Sequence, residues 1–201
     1  MKNNKSLTIE ETFSLAVKNH QVGKIDIAQN LYIKILEIDP NHSQTLNNHG
    51  VIFLEFGKNQ KAKDCFEKVI EIDPNYADAH YNLGVIFQEL GENQKAKDCF
   101  EKVIEIKPNY VNALNNLGVI FQELKENQKA KECFEKAIEL KPDYVDAHNN
   151  LGVIFKELKK NQKAKECFEK AIELKPDYVD AHNNLGMIFK ELKKNQKAKE
   201  C

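Results

Sequence analysis

Side chains that could carry out chemistry recur in this sequence at one fixed interval. The five cysteines are spaced 34 residues apart, as Cys65, Cys99, Cys133, Cys167 and Cys201. Thiolates can act as nucleophiles, form disulfides or bind zinc. Equivalent positions of stacked helical repeats lie ~8–10 Å apart, however, whereas a disulfide requires Cα atoms within ~7 Å, and no Cys-x-x-Cys pair is present. We therefore interpret the cysteines as small, half-buried hydrophobes and predict no disulfide and no metal site.

The histidines and serines show no catalytic arrangement either. His80, His148 and His182 share one position of the repeat, and no cysteine or carboxylate is arranged around them. We expect them to be core residues with a local hydrogen bond. The chain has only three serines and lacks a phosphate-binding glycine loop, a Gly-x-Ser-x-Gly elbow and a His-Glu-x-x-His motif. These absences predict a protein that is not an enzyme and needs no cofactor.

The same 34-residue spacing divides the whole chain into repeats, and the elements of each repeat position these side chains. All five prolines are spaced by the same 34 residues, and self-similarity at this period indicates a solenoid. We divide the chain into a tail, five full repeats and one partial repeat: residues 1–8, 9–42, 43–76, 77–110, 111–144, 145–178 and 179–201.

The pattern of apolar residues predicts two helices in each full repeat. In residues 77–110 apolar side chains recur at the spacing of one helical face, and we call this first segment helix A. A second amphipathic segment, helix B, ends before Pro108. Between them lies Gly91-Glu92-Asn93, where we expect Asn93 to be the N-cap of helix B. Because other repeats have lysine in place of this glycine, we expect no left-handed residue in the turn. Residues 8–11 have the spacing of a capping box for the first helix.

Composition and charge restrict the partners. The basic residues are all lysine and the net charge is −1, so the arginine side chains that usually read guanine edges are absent and we predict no nucleic-acid binding. No segment approaches the ~18 apolar residues of a membrane span, and the first residues do not form a signal peptide. We therefore predict a cytoplasmic protein with no membrane contact.

Several repeat positions carry a family resemblance. Leu83-Gly84, Phe87, Ala96, Phe100 and Pro108 match the tetratricopeptide repeat signature in order and spacing. The chain resembles this family from residue 9 to residue 201. The resemblance implies an all-α solenoid of helix-turn-helix repeats that form a right-handed superhelix, with the A helices lining a concave groove.

The polar face of helix A supplies candidate binding residues. Asparagine occupies the sixth position of five successive repeats, as Asn48, Asn82, Asn116, Asn150 and Asn184. Side-chain amides in a regular column can pair with the backbone of an extended peptide. This column resembles the asparagine ladder in the repeat region of protein O-linked N-acetylglucosamine transferases. We add to this peptide-binding set the residues at neighbouring groove positions, namely Asn47, Tyr81, Asn115, Asn149, Asn183, Glu89, Glu123 and Glu157.

Three functions remain open at this stage. The first is an interaction scaffold that binds an extended peptide or a helical protein in the groove. The second is the substrate-recruiting part of a larger enzyme, such as a glycosyltransferase. The third is a self-assembling oligomer, because the sixth helix B is incomplete and we expect Ile188, Phe189 and Leu192 to lack cover on one side.

Overall fold

The structure of the protein is a computed structural model that describes the backbone of residues 7–200 and the side chains of residues 7–193. Cys201 and most of the predicted tail lie outside the described residues. The chain divides into two compact units, Met1–Leu90 and Gly91–Cys201. The first contains α1 (Ile9–Gln21), α2 (Ile25–Ile38), α3 (Ser43–Glu55), α4 (Asn59–Ile72) and α5 (Ala77–Glu89). The second contains α6 (Asn93–Ile106), α7 (Val111–Glu123), α8 (Asn127–Leu140), α9 (Val145–Glu157), α10 (Asn161–Leu174) and α11 (Val179–Glu200).

The described residues form helices and no strand, which confirms the all-α fold of helix-turn-helix repeats. In three repeats the A helix packs on the B helix that follows it through a phenylalanine ring against a glycine. The pairs are Gly50 with Phe66, Gly118 with Phe134 and Gly152 with Phe168. All three rings are fully buried. The rings fit because glycine has no Cβ, so the two helices can approach closely.

Successive hairpins are joined by a second apolar layer. In the second unit, Leu114, Ala137 and Ala147 form a buried cluster, and Ile104 of the preceding hairpin packs against it. One hairpin alone would leave this cluster open to water. Stacking therefore buries the apolar faces that a single 34-residue repeat cannot cover.

The capping box at the start of the first helix is confirmed. The Thr8 hydroxyl accepts a hydrogen bond from the Glu11 backbone N–H at 3.2 Å. The Glu11 carboxylate accepts one from the Thr8 backbone N–H at 2.9 Å. Two backbone donors that helix geometry leaves unpaired are thus satisfied.

The expectation for the histidines is confirmed in one respect only. His80, His148 and His182 each direct Nε2 at the carbonyl oxygen of the proline six residues earlier, at 2.9, 2.9 and 2.8 Å. This local hydrogen bond joins helix A to the preceding turn. The side chains are half-buried or exposed, however, because they lie at the helix start beside that turn and not in the core.

The turn between helices A and B differs from both expectations. Helix B begins at the asparagine itself, so the N-caps are the preceding residues Lys58, Glu92, Glu126 and Lys160, whose side chains make no capping bond. The turn also needs a left-handed residue, which is Gly57 or Gly91 in two repeats and Lys125 or Lys159 in two others. The lysines adopt φ of 63° and 59° because the packing of both helices requires the same chain reversal.

This geometry predicts that replacing the left-handed lysines with glycine stabilises the protein. Left-handed backbone costs a residue with a Cβ ~1–2 kcal/mol, and glycine returns part of that gain through its greater freedom in the unfolded chain. We expect Lys125→Gly and Lys159→Gly each to raise the free energy of unfolding by about 0.5–1 kcal/mol, measured by urea titration. The reverse change, Gly91→Lys, should lower it by a similar amount. A loss of stability in both glycine variants would contradict the argument.

The sixth repeat also differs from its prediction. Residues 179–200 form one continuous helix, α11, in which the A-to-B turn is absent. No phenylalanine among the described residues packs on Gly186, which has open space around it. Without that packing, continued helix costs less than a strained turn. The expected exposure is wrong for Ile188, which is fully buried, whereas Phe189 is 44% exposed and Leu192 is half-buried.

Candidate functional site

The asparagines of helix A form hydrogen bonds between successive repeats. In the second unit, Asn150 donates from Nδ2 to Oδ1 of Asn115 at 3.2 Å. Asn184 donates in the same way to Asn149 at 3.1 Å. The sixth-position amide of one repeat therefore bonds to the fifth-position amide of the repeat before it. Helix periodicity places both positions on one face, and stacking brings the two faces together.

The first unit has the same arrangement. Asn82 donates from Nδ2 to Oδ1 of Asn47 at 3.4 Å, and Asn47 donates to Oδ1 of Asn48 at 3.4 Å. Tyr81, which replaces the fifth-position asparagine in the third repeat, is half-buried. The amide network thus recurs in both units with the same donor and acceptor positions.

The fifth-position and sixth-position asparagines differ in how far they are buried. Asn47, Asn115 and Asn149 are buried, at 6–7% exposure. The sixth-position residues are half-buried, and Asn183 is exposed. A primary amide offers two N–H donors and an oxygen with two lone pairs, and Asn150 uses one donor in the inter-repeat bond. Its second donor and its oxygen remain for a ligand that lies along helix A.

The predicted acidic residues lie at the end of helix A. Glu89, Glu123 and Glu157 are all exposed. The carboxylate of Glu157 accepts hydrogen bonds from the side-chain amides of Gln122 at 3.0 Å and Asn127 at 2.9 Å. Amide donors hold this carboxylate in place without neutralising it. The negative charge is therefore fixed in position and retained.

Asp146, another acidic residue of helix A, forms a hydrogen bond within its own repeat. The Tyr178 hydroxyl donates to Oδ1 of Asp146 at 2.8 Å. Burial raises the pKa of Tyr178, and the hydrogen bond and negative charge of Asp146 raise it further. The pair ties the start of α9 to the residue before α11.

The cysteine thiols are poor nucleophiles. Burial raises the pKa of Cys65 and Cys99 to about 11 and that of Cys133 and Cys167 to about 12. The thiolate fraction at neutral pH is therefore very small. Among the described residues, no three histidine, cysteine or acidic side chains are grouped to hold a metal ion. None of the described helices has the length and hydropathy to cross a membrane.

Comparison with known families identifies the repeat. The family model described as tetratricopeptide repeat matches residues 77–110, 111–144 and 145–178, which is half of the chain. Two further repeat models of this type match residues 50–91 and 167–200. The chain belongs to the tetratricopeptide repeat family. A comparison with curated proteins found no match to this chain.

Solved structures support the same fold for this tetratricopeptide array. The crystal structure of MamA protein is 28% identical, with a TM-score of 0.71, over 85% of this chain and 95% of that one. The structure of pilF from Pseudomonas aeruginosa is also 28% identical, with a TM-score of 0.69, over 79% of this chain and 72% of that one. YrrB, described as having an unusual peptide-binding site, is 24% identical with a TM-score of 0.73, over 88% of this chain and 91% of that one. At this identity YrrB supports the fold alone.

Sequence reasoning missed the amides that hold the glutamates. Asn127 bonds to Glu157, and the equivalent Asn161 donates to Oε2 of Glu191 at 3.0 Å. The signal was present, because an asparagine in each of these turns is followed 30 residues later by a glutamate. The asparagine was interpreted instead as a cap for its own helix.

Proposed function

We propose that the protein is a cytoplasmic, non-catalytic interaction scaffold that binds an extended peptide along its A helices. The sixth-position asparagines Asn48, Asn82, Asn116, Asn150 and Asn184 would be the principal contacts. Asn183, Tyr81 and the glutamates at the end of helix A would contribute the rest of the surface. The buried asparagines Asn47, Asn115 and Asn149 would hold the contacting amides in place. Membership of the tetratricopeptide family supports the scaffold, and the peptide mode rests on the amide column.

The observation that carries this proposal is the inter-repeat amide bond. It fixes the orientation of the Asn82, Asn150 and Asn184 amides, and in Asn150 it leaves the oxygen and one N–H for a ligand. A peptide backbone offers the complementary donors and acceptors at regular intervals, whatever its side chains are. Such binding tolerates many sequences, as the resemblance to the asparagine ladder of O-linked N-acetylglucosamine transferases implies. The same surface could recruit substrate if the array belongs to a larger enzyme.

The test compares two double variants that break the same two hydrogen bonds. Asn150→Ala with Asn184→Ala removes the ligand-facing amides, whereas Asn115→Ala with Asn149→Ala removes their buried partners. Each lost bond should lower the free energy of unfolding by ~0.5–1.5 kcal/mol, with an added cost where a buried oxygen is left unpaired. The first variant should lose about tenfold in affinity for a peptide selected from a random library, measured by isothermal titration. The second should lose less, because it keeps the ligand-facing amides and loses only the bonds that orient them.

Binding is measured at a temperature where both variants are fully folded by circular dichroism. Equal affinity in the two variants would contradict the proposal, since the exposed amides would then make no contact of their own. A larger loss in the variant at Asn115 and Asn149 would place the contact in the buried layer and would also contradict it.

Self-assembly is a second candidate, favoured by exposed apolar side chains of α11. Val179, Met187 and Phe189 are 66%, 43% and 44% exposed, and there is open space at Gly186. Exposed side chains of this kind would suit contact with another copy of the chain. The fully buried Ile188 would take no part in it.

A further inference from the structure

The turn between helices A and B becomes strongly basic in the last repeats. Residues 88–97 of the third repeat contain two lysines and two glutamates, so their charges cancel. The equivalent residues 156–165 contain five lysines and one glutamate, a net charge of +4. Residues 190–193 repeat the pattern with Lys190 and Lys193 around Glu191. The charge is thus concentrated at one edge of the second unit.

The lysines of this edge lack an ion pair that the third and fourth repeats have at the same positions. In the third and fourth repeats, the N-cap glutamates Glu92 and Glu126 form ion pairs with Lys95 and Lys129. In the fifth repeat the same two positions are Lys160 and Lys163, which carry like charges. Lys163 lies over the Phe155 ring, 5.6 Å from its centroid, and neither lysine forms an ion pair with another described residue.

The basic turn works against local stability. Lys159 is held in left-handed backbone at a φ of 59°, a conformation unfavourable for any residue with a Cβ. Lys160 is the N-cap of α10, where the helix dipole repels a positive charge. The glycine and glutamate of the third repeat avoid both penalties. Each penalty occurs alone in another turn, the first at Lys125 and the second at Lys58, whereas in the fifth repeat the two coincide. Such breaks of local rules are expected at functional sites.

Two lysine groups meet at this edge. Asn161, which directly follows the turn, donates from Nδ2 to Glu191 of α11 at 3.0 Å. This bond places the turn beside the segment of α11 that contains Lys190 and Lys193. Lys159, Lys160, Lys163, Lys190 and Lys193 are exposed, and Lys156 is half-buried. We name these six residues the basic turn surface.

We propose that the basic turn surface is a docking site for an acidic segment of a partner protein. Lysine ammonium groups are point charges that pair with single carboxylates, whereas planar recognition of phosphate relies on arginine, which the chain lacks. Leu158, between the lysines, is half-buried and offers little apolar surface to a lipid bilayer. An acidic protein segment fits this chemistry better than a membrane or a nucleic acid.

The experiment converts the turn of the fifth repeat into that of the third. Lys159→Gly with Lys160→Glu reproduces Gly91-Glu92, so the variant should fold at least as well as the original chain. Binding is measured at physiological ionic strength to three probes: a labelled oligoglutamate peptide, vesicles of phosphatidylserine and phosphatidylcholine, and a short DNA duplex. We expect the original chain to prefer the peptide, and the variant to bind it about tenfold more weakly.

The matched control is Lys136→Gln with Lys170→Glu, which changes the net charge equally on the outer face of helix B and should retain the original affinity. An equal loss in this control would show that the peptide senses net charge alone, and would overturn the site. Unchanged binding in Lys159→Gly with Lys160→Glu, or no binding of the peptide by the original chain, would also overturn it. Tighter binding of vesicles or DNA would overturn the assignment of the partner.

Discussion

Gly118→Ala should lower the free energy of unfolding by about 2 kcal/mol. Overpacking a buried site costs up to ~3 kcal/mol, and the better helix propensity of alanine offsets ~1 kcal/mol of that cost. A Cβ on Gly118 would lie 2.6 Å from Cε1 of Phe134 and within 3 Å of two more ring carbons. Phe134 is fully buried, so the ring has no open space into which to move. The helices themselves would have to separate.

The same substitution at the equivalent residue of the last repeat should have the opposite effect. Nothing lies within 4 Å of a Cβ on Gly186, so only the gain of ~1 kcal/mol in helix propensity remains. The two variants should therefore differ by about 3 kcal/mol, although the substitution is identical. Urea unfolding followed by circular dichroism measures both.

A smaller side chain in place of the Phe134 ring supplies the control. Phe134→Leu should restore part of the stability lost in Gly118→Ala, because leucine leaves room for the added methyl group. In the original background Phe134→Leu should be destabilising, so the two changes are coupled. Additive effects, or a Gly118→Ala variant as stable as the original chain, would contradict the packing argument.

This packing was largely predictable from sequence. Glycine and phenylalanine recur together at the repeat period, and an amphipathic pattern identifies which faces are buried. The left-handed φ of Lys125 and Lys159 was not predictable, because lysine at that position normally argues against such a conformation. There the packing of two helices overrides the preference of one residue.

The candidate site was predictable in position and less so in detail. Periodicity alone places Asn115 and Asn150 on the same face. It could not show that Asn115 is buried and bonded to Asn150, because that bond depends on the distance between stacked helices. The exact rise and rotation from one repeat to the next come from side-chain packing, which periodicity does not determine.

His49 should make the stability of the first unit depend on pH. It occupies the position where the next three repeats have a core leucine and is 8% exposed. Its ring lies 4.4 Å from that of Phe53 between centroids, and its Nε2 is 3.4 Å from Nε2 of Gln29 on α2. Tyr32 on α2 and Lys61 on α4 complete its surroundings. None of these groups carries a negative charge that would favour the protonated imidazole.

Burial lowers the pKa of His49, and the positive charge of Lys61 lowers it further. The unfolded chain therefore binds a proton at a higher pH than the folded chain does, at about 6.5. Above that value the histidine is neutral in both states and stability is complete. As the pH falls below about 6.5, the unfolded state gains protons first, and stability declines until the pKa of the folded state is passed.

His49→Leu should remove this part of the pH dependence and stabilise the protein. A fully buried leucine is worth ~1.5–3 kcal/mol, so we expect a gain of about 1–2 kcal/mol at neutral pH and a larger one at about pH 5. Urea unfolding at about pH 5 and pH 7.5 measures both values.

His20 and its partner Glu55, 3.3 Å away, are unchanged in the variant, so their contribution cancels. His80→Leu is the control for the loss of a histidine that is not in the core, because His80 is half-buried beside Pro74. An equal gain from His49→Leu at the two pH values would show that His49 does not titrate on unfolding, and the argument would fail.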